Sequence, residues 1–81
     1  PFNPCTTIKY QIPSNVKGET SNVKLIVYDV LGREVAMLVN KEQKPGSYEV
    51  VFDARNLTSG VYYYQLRSDS FYKTRKMILL K

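Results

Sequence analysis

Few side chains in this 81-residue chain could do covalent or metal chemistry: one cysteine, no histidine and seven carboxylates. A protein zinc site needs several Cys or His ligands at set spacing, so no metal site is expected. Nucleophile systems that rely on a histidine base are excluded for the same reason. Cys5 follows a proline and has no histidine to activate its thiol, so it reads as an incidental small residue. Alone, it cannot close an internal disulfide. Asp29 falls at a turn and Asp53 at a strand end, where Asp commonly bonds nearby backbone amides. Glu34, Glu42 and Glu49 fall at outward or loop positions. Glycosidase-type chemistry needs two carboxylates at a defined separation in a cleft, which this pattern does not provide. The expectation is a domain with no catalytic residue and no cofactor.

Binding is a better prospect. The formal net charge is +5, and five cations (Arg67, Lys73, Arg75, Lys76 and Lys81) stand against Asp69 alone in residues 67–81. Such a stripe can meet an acidic partner, an anionic glycolipid or nucleic acid. Strict alternation places Lys73, Arg75 and Lys81 on one face, with Phe71 and Tyr72 nearby. No nucleic-acid motif accompanies them. Charge on the solvent face of an edge strand is also a common defence against edge-to-edge pairing. The stripe therefore reads as edge protection or a protein docking surface. In Tyr62-Tyr63-Tyr64, alternation puts Tyr62 and Tyr64 with Leu66 on a core face and Tyr63 outside.

The elements that must position these residues are strands. Thr6–Ile12 alternates, with Ile8, Tyr10 and Ile12 on one side. Pro13 ends it, and a polar loop containing Gly18 follows. Val23–Tyr28 turns Val23, Leu25 and Val27 inward. Asp29-Val30-Leu31-Gly32 is a tight turn in which Gly32 supplies a positive φ, and Glu34–Val39 returns as a hairpin. Lys44-Pro45-Gly46 turns into Ser47–Asp53, which groups Tyr48, Val50 and Phe52. Leu57-Thr58-Ser59-Gly60 is a corner into Val61–Arg67. There Tyr62 suits the buried tyrosine that bonds back to upstream backbone in immunoglobulin-like sandwiches. Ser68-Asp69-Ser70 turns into the last strand, Phe71–Leu80.

Six to seven short strands with regular turns imply an all-β fold, a small immunoglobulin-like antiparallel β-sandwich. Hydrophobic content of 43% and charged content of 23% fit one globular domain over residues 1–81. With no disulfide or metal, so small a domain is expected to commit nearly all its apolar side chains to one core. No apolar run approaches the ~18 residues of a membrane-spanning helix, and no N-terminal export signal is present.

Four segments together resemble the C-terminal sorting domain (type A) of proteins exported by the bacterial type IX secretion system. Pro1-Phe2-Asn3-Pro4 with Thr6-Thr7-Ile8 is similar to the family's opening motif. Val23-Lys24-Leu25 through Tyr28-Asp29, then Gly32-Arg33-Glu34-Val35, is similar to its central hairpin. Leu57-Thr58-Ser59-Gly60-Val61-Tyr62 with Leu66 matches its Leu-x-x-Gly-x-Tyr…Leu block, and Thr74–Lys81 its terminal basic-apolar block. The chain begins inside the opening motif, which implies a larger secreted protein whose cargo and cleavage region lie upstream. Cys5 stands where small polar residues are usual.

The resemblance implies an address rather than an activity. Its expected partners are the outer-membrane type IX translocon with its shuttle proteins, a covalently linked upstream cargo domain and a processing protease. The expected route passes through the periplasm to the cell surface or the extracellular space. The recognised surface is expected at residues 73–81, with Gly60, Tyr62 and Leu66 shaping the neighbouring strand and Lys73, Arg75, Lys76 and Lys81 presenting charge. Two rival readings are a carbohydrate-binding accessory module of a secreted hydrolase, using Tyr63 and Tyr72, and an assembly module like those of flagellar hook-capping proteins.

Overall fold

A computed structural model of the chain describes residues 5–14, 20–69 and 71–80. The opening Pro1-Phe2-Asn3-Pro4, the Gly18 loop, Ser70 and Lys81 lie outside the described residues. Six strands follow one another: β1 (Cys5–Ile12), β2 (Ser21–Tyr28), β3 (Glu34–Gln43), β4 (Gly46–Asp53), β5 (Gly60–Arg67) and β6 (Tyr72–Leu79). Among the described residues there is no helix. β1 and β4 form a two-stranded antiparallel sheet, and the other four form an antiparallel sheet in the order β3-β2-β5-β6. The fold class expected from alternation is the one observed, a small all-β sandwich, with six strands.

The core lies between the two sheets. β1 contributes Ile8, Tyr10 and Ile12, and β2 contributes Val23, Leu25 and Val27, each of the last three at 0% exposure. Val39, Tyr62, Leu66 and Leu79 from the larger sheet, Phe52 from β4 and Ala54 just after it complete the cluster. Each fully buried aliphatic side chain adds about 1.5–3 kcal/mol of transfer free energy. β2 carries the most because it sits mid-sheet, bonded to β3 and β5 at once.

The β2–β3 hairpin closes through Asp29. Its carboxylate accepts the backbone N–H groups of Leu31 at 2.9 Å and Arg33 at 3.0 Å, and the Arg33 guanidinium at 2.8 Å. Gly32 adopts φ +82°, the left-handed position of this turn. The Arg33 backbone N–H, with help from the Arg33 guanidinium and the Leu31 N–H, holds the Asp29 carboxyl below its ordinary value of 3.8, and partial burial opposes that shift. A folded-state pKa below the unfolded one contributes stability that is present above pH 3.8 and is lost as pH falls through the folded value. Asp29→Asn is therefore expected to flatten the acid limb. Thermal melts at neutral pH and in the acid range below the ordinary aspartate pKa should show a smaller drop in the variant than in the parent. Equal drops would contradict the linkage.

β3 departs from simple alternation. Leu25 pairs with Val39 but Ile26 with Met37, and Val27 pairs with Ala36 but Tyr28 with Glu34. Leu38 and Val35 are thus the extra residues of two β-bulges. Each bulge resets the pleat, so Val35, Ala36, Leu38 and Val39 all pack on the core while Met37 points out. β3 also runs on through polar Asn40-Lys41-Glu42-Gln43. Gln43 is 8% exposed, and its Oε1 accepts the Tyr10 hydroxyl at 3.0 Å, tying the larger sheet to β1 of the smaller.

The expectation that nearly every apolar side chain enters the core is corrected here. Val30, Leu31, Met37, Val51, Tyr63, Tyr72, Ile78 and Leu80 are large apolar residues left exposed. Val30 and Leu31 sit in the hairpin turn, Val51 on the outer side of β4, Leu80 beyond β6, and Met37, Tyr63, Tyr72 and Ile78 on the side of the larger sheet that faces away from the smaller.

Candidate docking strand

β5 and β6 form a continuous antiparallel ladder of eight pairs, from Gly60↔Leu79 to Arg67↔Tyr72. The corner before β5 is tied by Tyr62, whose buried hydroxyl donates to the Thr58 carbonyl at 2.8 Å. This is the backbone tether expected from the Leu57…Gly60…Tyr62 spacing. Gly60 has φ +155°, a backbone setting that side chains rarely adopt, although a Cβ there would meet no atom within 4 Å. Its constraint is conformational, not steric. Tyr62→Phe removes one hydrogen bond and is expected to cost about 1 kcal/mol. That corresponds to a fall in Tm of roughly 4–8 °C for a domain of this size. Equal melting temperatures by calorimetry would contradict the tether.

β6 is the end strand of its sheet, so one of its edges has no partner among the described residues. Its faces are divided. Lys73 and Arg75 share the side of Met77, which packs on the core, and of Leu79, which is 9% exposed. They are therefore on the inner side, and the expectation of a solvent-face stripe is corrected for these two. They stay exposed because the two-stranded sheet does not reach over that end of β6. Lys76 lies on the outer side with Tyr72, Thr74 and Ile78, opposite Tyr63. Neither Lys73, Arg75 nor Lys76 has an ion-pair partner among the described residues. The charged positions thus occupy both sides of one strand. Lys81 lies outside the described residues.

Where the smaller sheet stops short, the gap is an open groove of about 700 Å³ lined by Tyr10, Tyr48, Tyr64, Leu66, Lys73 and Arg75 among others. Tyr10 and Tyr48 stack there, with ring centroids 5.5 Å apart and planes 18° apart. The Tyr48 hydroxyl donates to the Lys44 carbonyl at 2.6 Å. Of the expected positions, Tyr62 and Leu66 are each 6% exposed, so their side chains serve the fold and anchor β5, the strand beside β6. The groove was not foreseen. It depends on β1 and β4 pairing with each other across a long sequence separation, which no local pattern signals. Alternation did mark Tyr10, Tyr48 and Tyr64 as facing inward.

The geometry gives no support to a sugar platform from Tyr63 and Tyr72. Tyr63 stands opposite Lys76 and Tyr72 opposite Arg67, four ladder steps away. At ~3.3 Å per residue the two rings are separated by about 13 Å along the strands.

A family model described as "Secretion system C-terminal sorting domain" matches residues 1–80. No curated protein and no solved structure matches the chain. The match takes in the hairpin, the Leu57…Tyr62 corner and the β6 block in a single span, as the four-segment resemblance requires. The chain belongs to the secretion system C-terminal sorting domain family, the sorting domains of type IX secretion.

Proposed function

We propose that this domain is a non-catalytic label whose last strand is read by the outer-membrane type IX translocon and its shuttle proteins. Family membership ties it to an upstream cargo, to the type IX machinery and to export to the cell surface or the extracellular space. Residues 1–81 fold as one unit joined to that cargo and cross the periplasm folded, and a processing protease is a candidate partner at the cell surface. The recognised surface is β6 with its terminal basic residues, namely Lys73, Arg75, Lys76 and Lys81. Gly60, Tyr62 and Leu66 act through the fold by setting the strand on which β6 rests.

The observation that carries this reading is that, among the described residues, one edge of β6 has no partner strand and its flanking cations have no neutralising acid. A strand edge offers main-chain hydrogen bonds to an incoming strand, and flanking side chains choose which strand fits. The test is a reporter carrying an N-terminal export signal and this chain at its C-terminus. In cells with a working type IX system the reporter is expected at the surface or in the medium. In cells lacking the outer-membrane translocon it is expected to stay in the periplasm. The same location in both strains would refute the proposal.

A further inference from the structure

Among the described residues the four-stranded sheet has two edges without a partner strand, and they are not equivalent. The β3 edge carries two bulges, which break the regular spacing an added strand needs. The β6 ladder runs eight pairs without interruption. Along β6 the inner side reads Lys73, Arg75, Met77, Leu79: two cations, then two apolar residues packed on or into the core. Directly opposed cross-strand residues share a face, and opposite charges or matched apolar groups stabilise such pairs. A strand laid against β6 must therefore meet two positive charges and then two apolar groups at alternate positions on one and the same face.

We infer that the β6 edge accepts an extended segment of a partner protein that carries, on one face, two apolar residues followed by two carboxylates at alternate positions. Laid antiparallel, like every other pair in the domain, its apolar residues meet Leu79 and Met77 and its carboxylates meet Arg75 and Lys73. The carboxylates sit at the mouth of the groove beside Tyr64 and Leu66. This rests on the reading of β6 as the recognised strand and adds the chemistry of what recognises it.

The probe is a synthetic peptide, Thr-Val-Thr-Val-Thr-Glu-Thr-Glu-Thr, titrated into the isotope-labelled 81-residue chain while backbone amide shifts are followed by NMR. The control peptide has the same composition with valines and glutamates on opposite faces. Shifts confined to β6 and its groove, with affinity roughly fivefold weaker for the control, are expected if two cross-strand charge pairs form. Lys73→Glu with Arg75→Glu should lose the same factor for the first peptide. It should regain binding to a peptide with lysines in place of the glutamates, which a merely misfolded variant would not do. Equal binding of the two peptides, or no shift along β6 at millimolar peptide, overturns the inference. If that happens while translocon-dependent export of the reporter persists, the acidic-strand chemistry fails and the sorting role stands.

Discussion

Leu25→Ala is expected to unfold the domain or bring it to the edge of unfolding. Leu25 is at 0% exposure on the strand that both β3 and β5 depend on. Truncating a buried leucine costs the transfer free energy of the lost atoms plus that of the cavity, about 2–5 kcal/mol. Total stability scales at roughly 0.05–0.15 kcal/mol per residue, so a chain of this length holds about 4–12 kcal/mol. The substitution thus removes about a sixth of the stability at least, and all of it at the unfavourable end. With each kcal/mol worth roughly 4–8 °C, the Tm should fall by at least about 10 °C in a circular dichroism melt. Leu31→Ala is the control. Leu31 is 73% exposed at the hairpin tip and should melt within about 0.5 kcal/mol of the parent. A Leu25→Ala melt within a few degrees of the parent would mean that the core is not where the two sheets meet.

Alternation exposed much of this architecture before any coordinates. It grouped Ile8, Tyr10 and Ile12, then Val23, Leu25 and Val27, then Tyr62 and Leu66, and all eight are buried. A half-covered strand must place every second residue inside, and β1 obeys that rule; β2 departs from it because Ile26, on the opposite side, is also buried at 4% exposure. The Asp29–Gly32 turn and the Tyr62 tether were legible because each rests on local chemistry, an acceptor side chain and a short spacing.

β3 was only half legible. Its two bulges break the period of two, and Asn40–Gln43 is polar because it pairs with the polar start of β2 at the sheet edge. Gln43 lies past the strand end predicted at Val39 and is buried, its side chain held by Tyr10 of the other sheet. The charged stripe was found on the right strand but with Lys73 and Arg75 assigned to the wrong side. Sequence alternation cannot say which side of an end strand the second sheet leaves uncovered. Both the groove and the stacking of Tyr10 on Tyr48 follow from that incomplete cover.

The second large effect concerns sorting. Lys73→Glu, Arg75→Glu and Lys76→Glu together reverse the charge on both sides of β6 without removing an apolar group. All three side chains are exposed, and their cross-strand neighbours are Leu66, Tyr64 and Tyr63, none of them charged. Glu49 is the one acid lining the groove beside Lys73 and Arg75, with Lys9 also present, and surface substitutions of this kind usually fall within about 0.5 kcal/mol each. Recognition should suffer far more. The carboxylates of an incoming acidic strand would meet two carboxylates in place of Lys73 and Arg75, with a third replacing Lys76 on the outer side, and like-charge juxtaposition at an interface costs several kcal/mol. At ~1.4 kcal/mol per factor of ten, the fraction of a fused reporter that leaves the cell should fall at least tenfold. Deleting residues 72–81 would be a poorer experiment, because it also strips Met77 and Leu79 from the core and confounds loss of the label with loss of the fold.

The most direct test of the strand-reading claim is the location of a reporter fused to this charge-reversed domain, measured beside the melting curve of the isolated variant. The expected result is a melting temperature within a few degrees of the parent, with the reporter held in the periplasm. Normal surface delivery by a folded, charge-reversed domain would show that the cations of β6 are not what the export machinery reads.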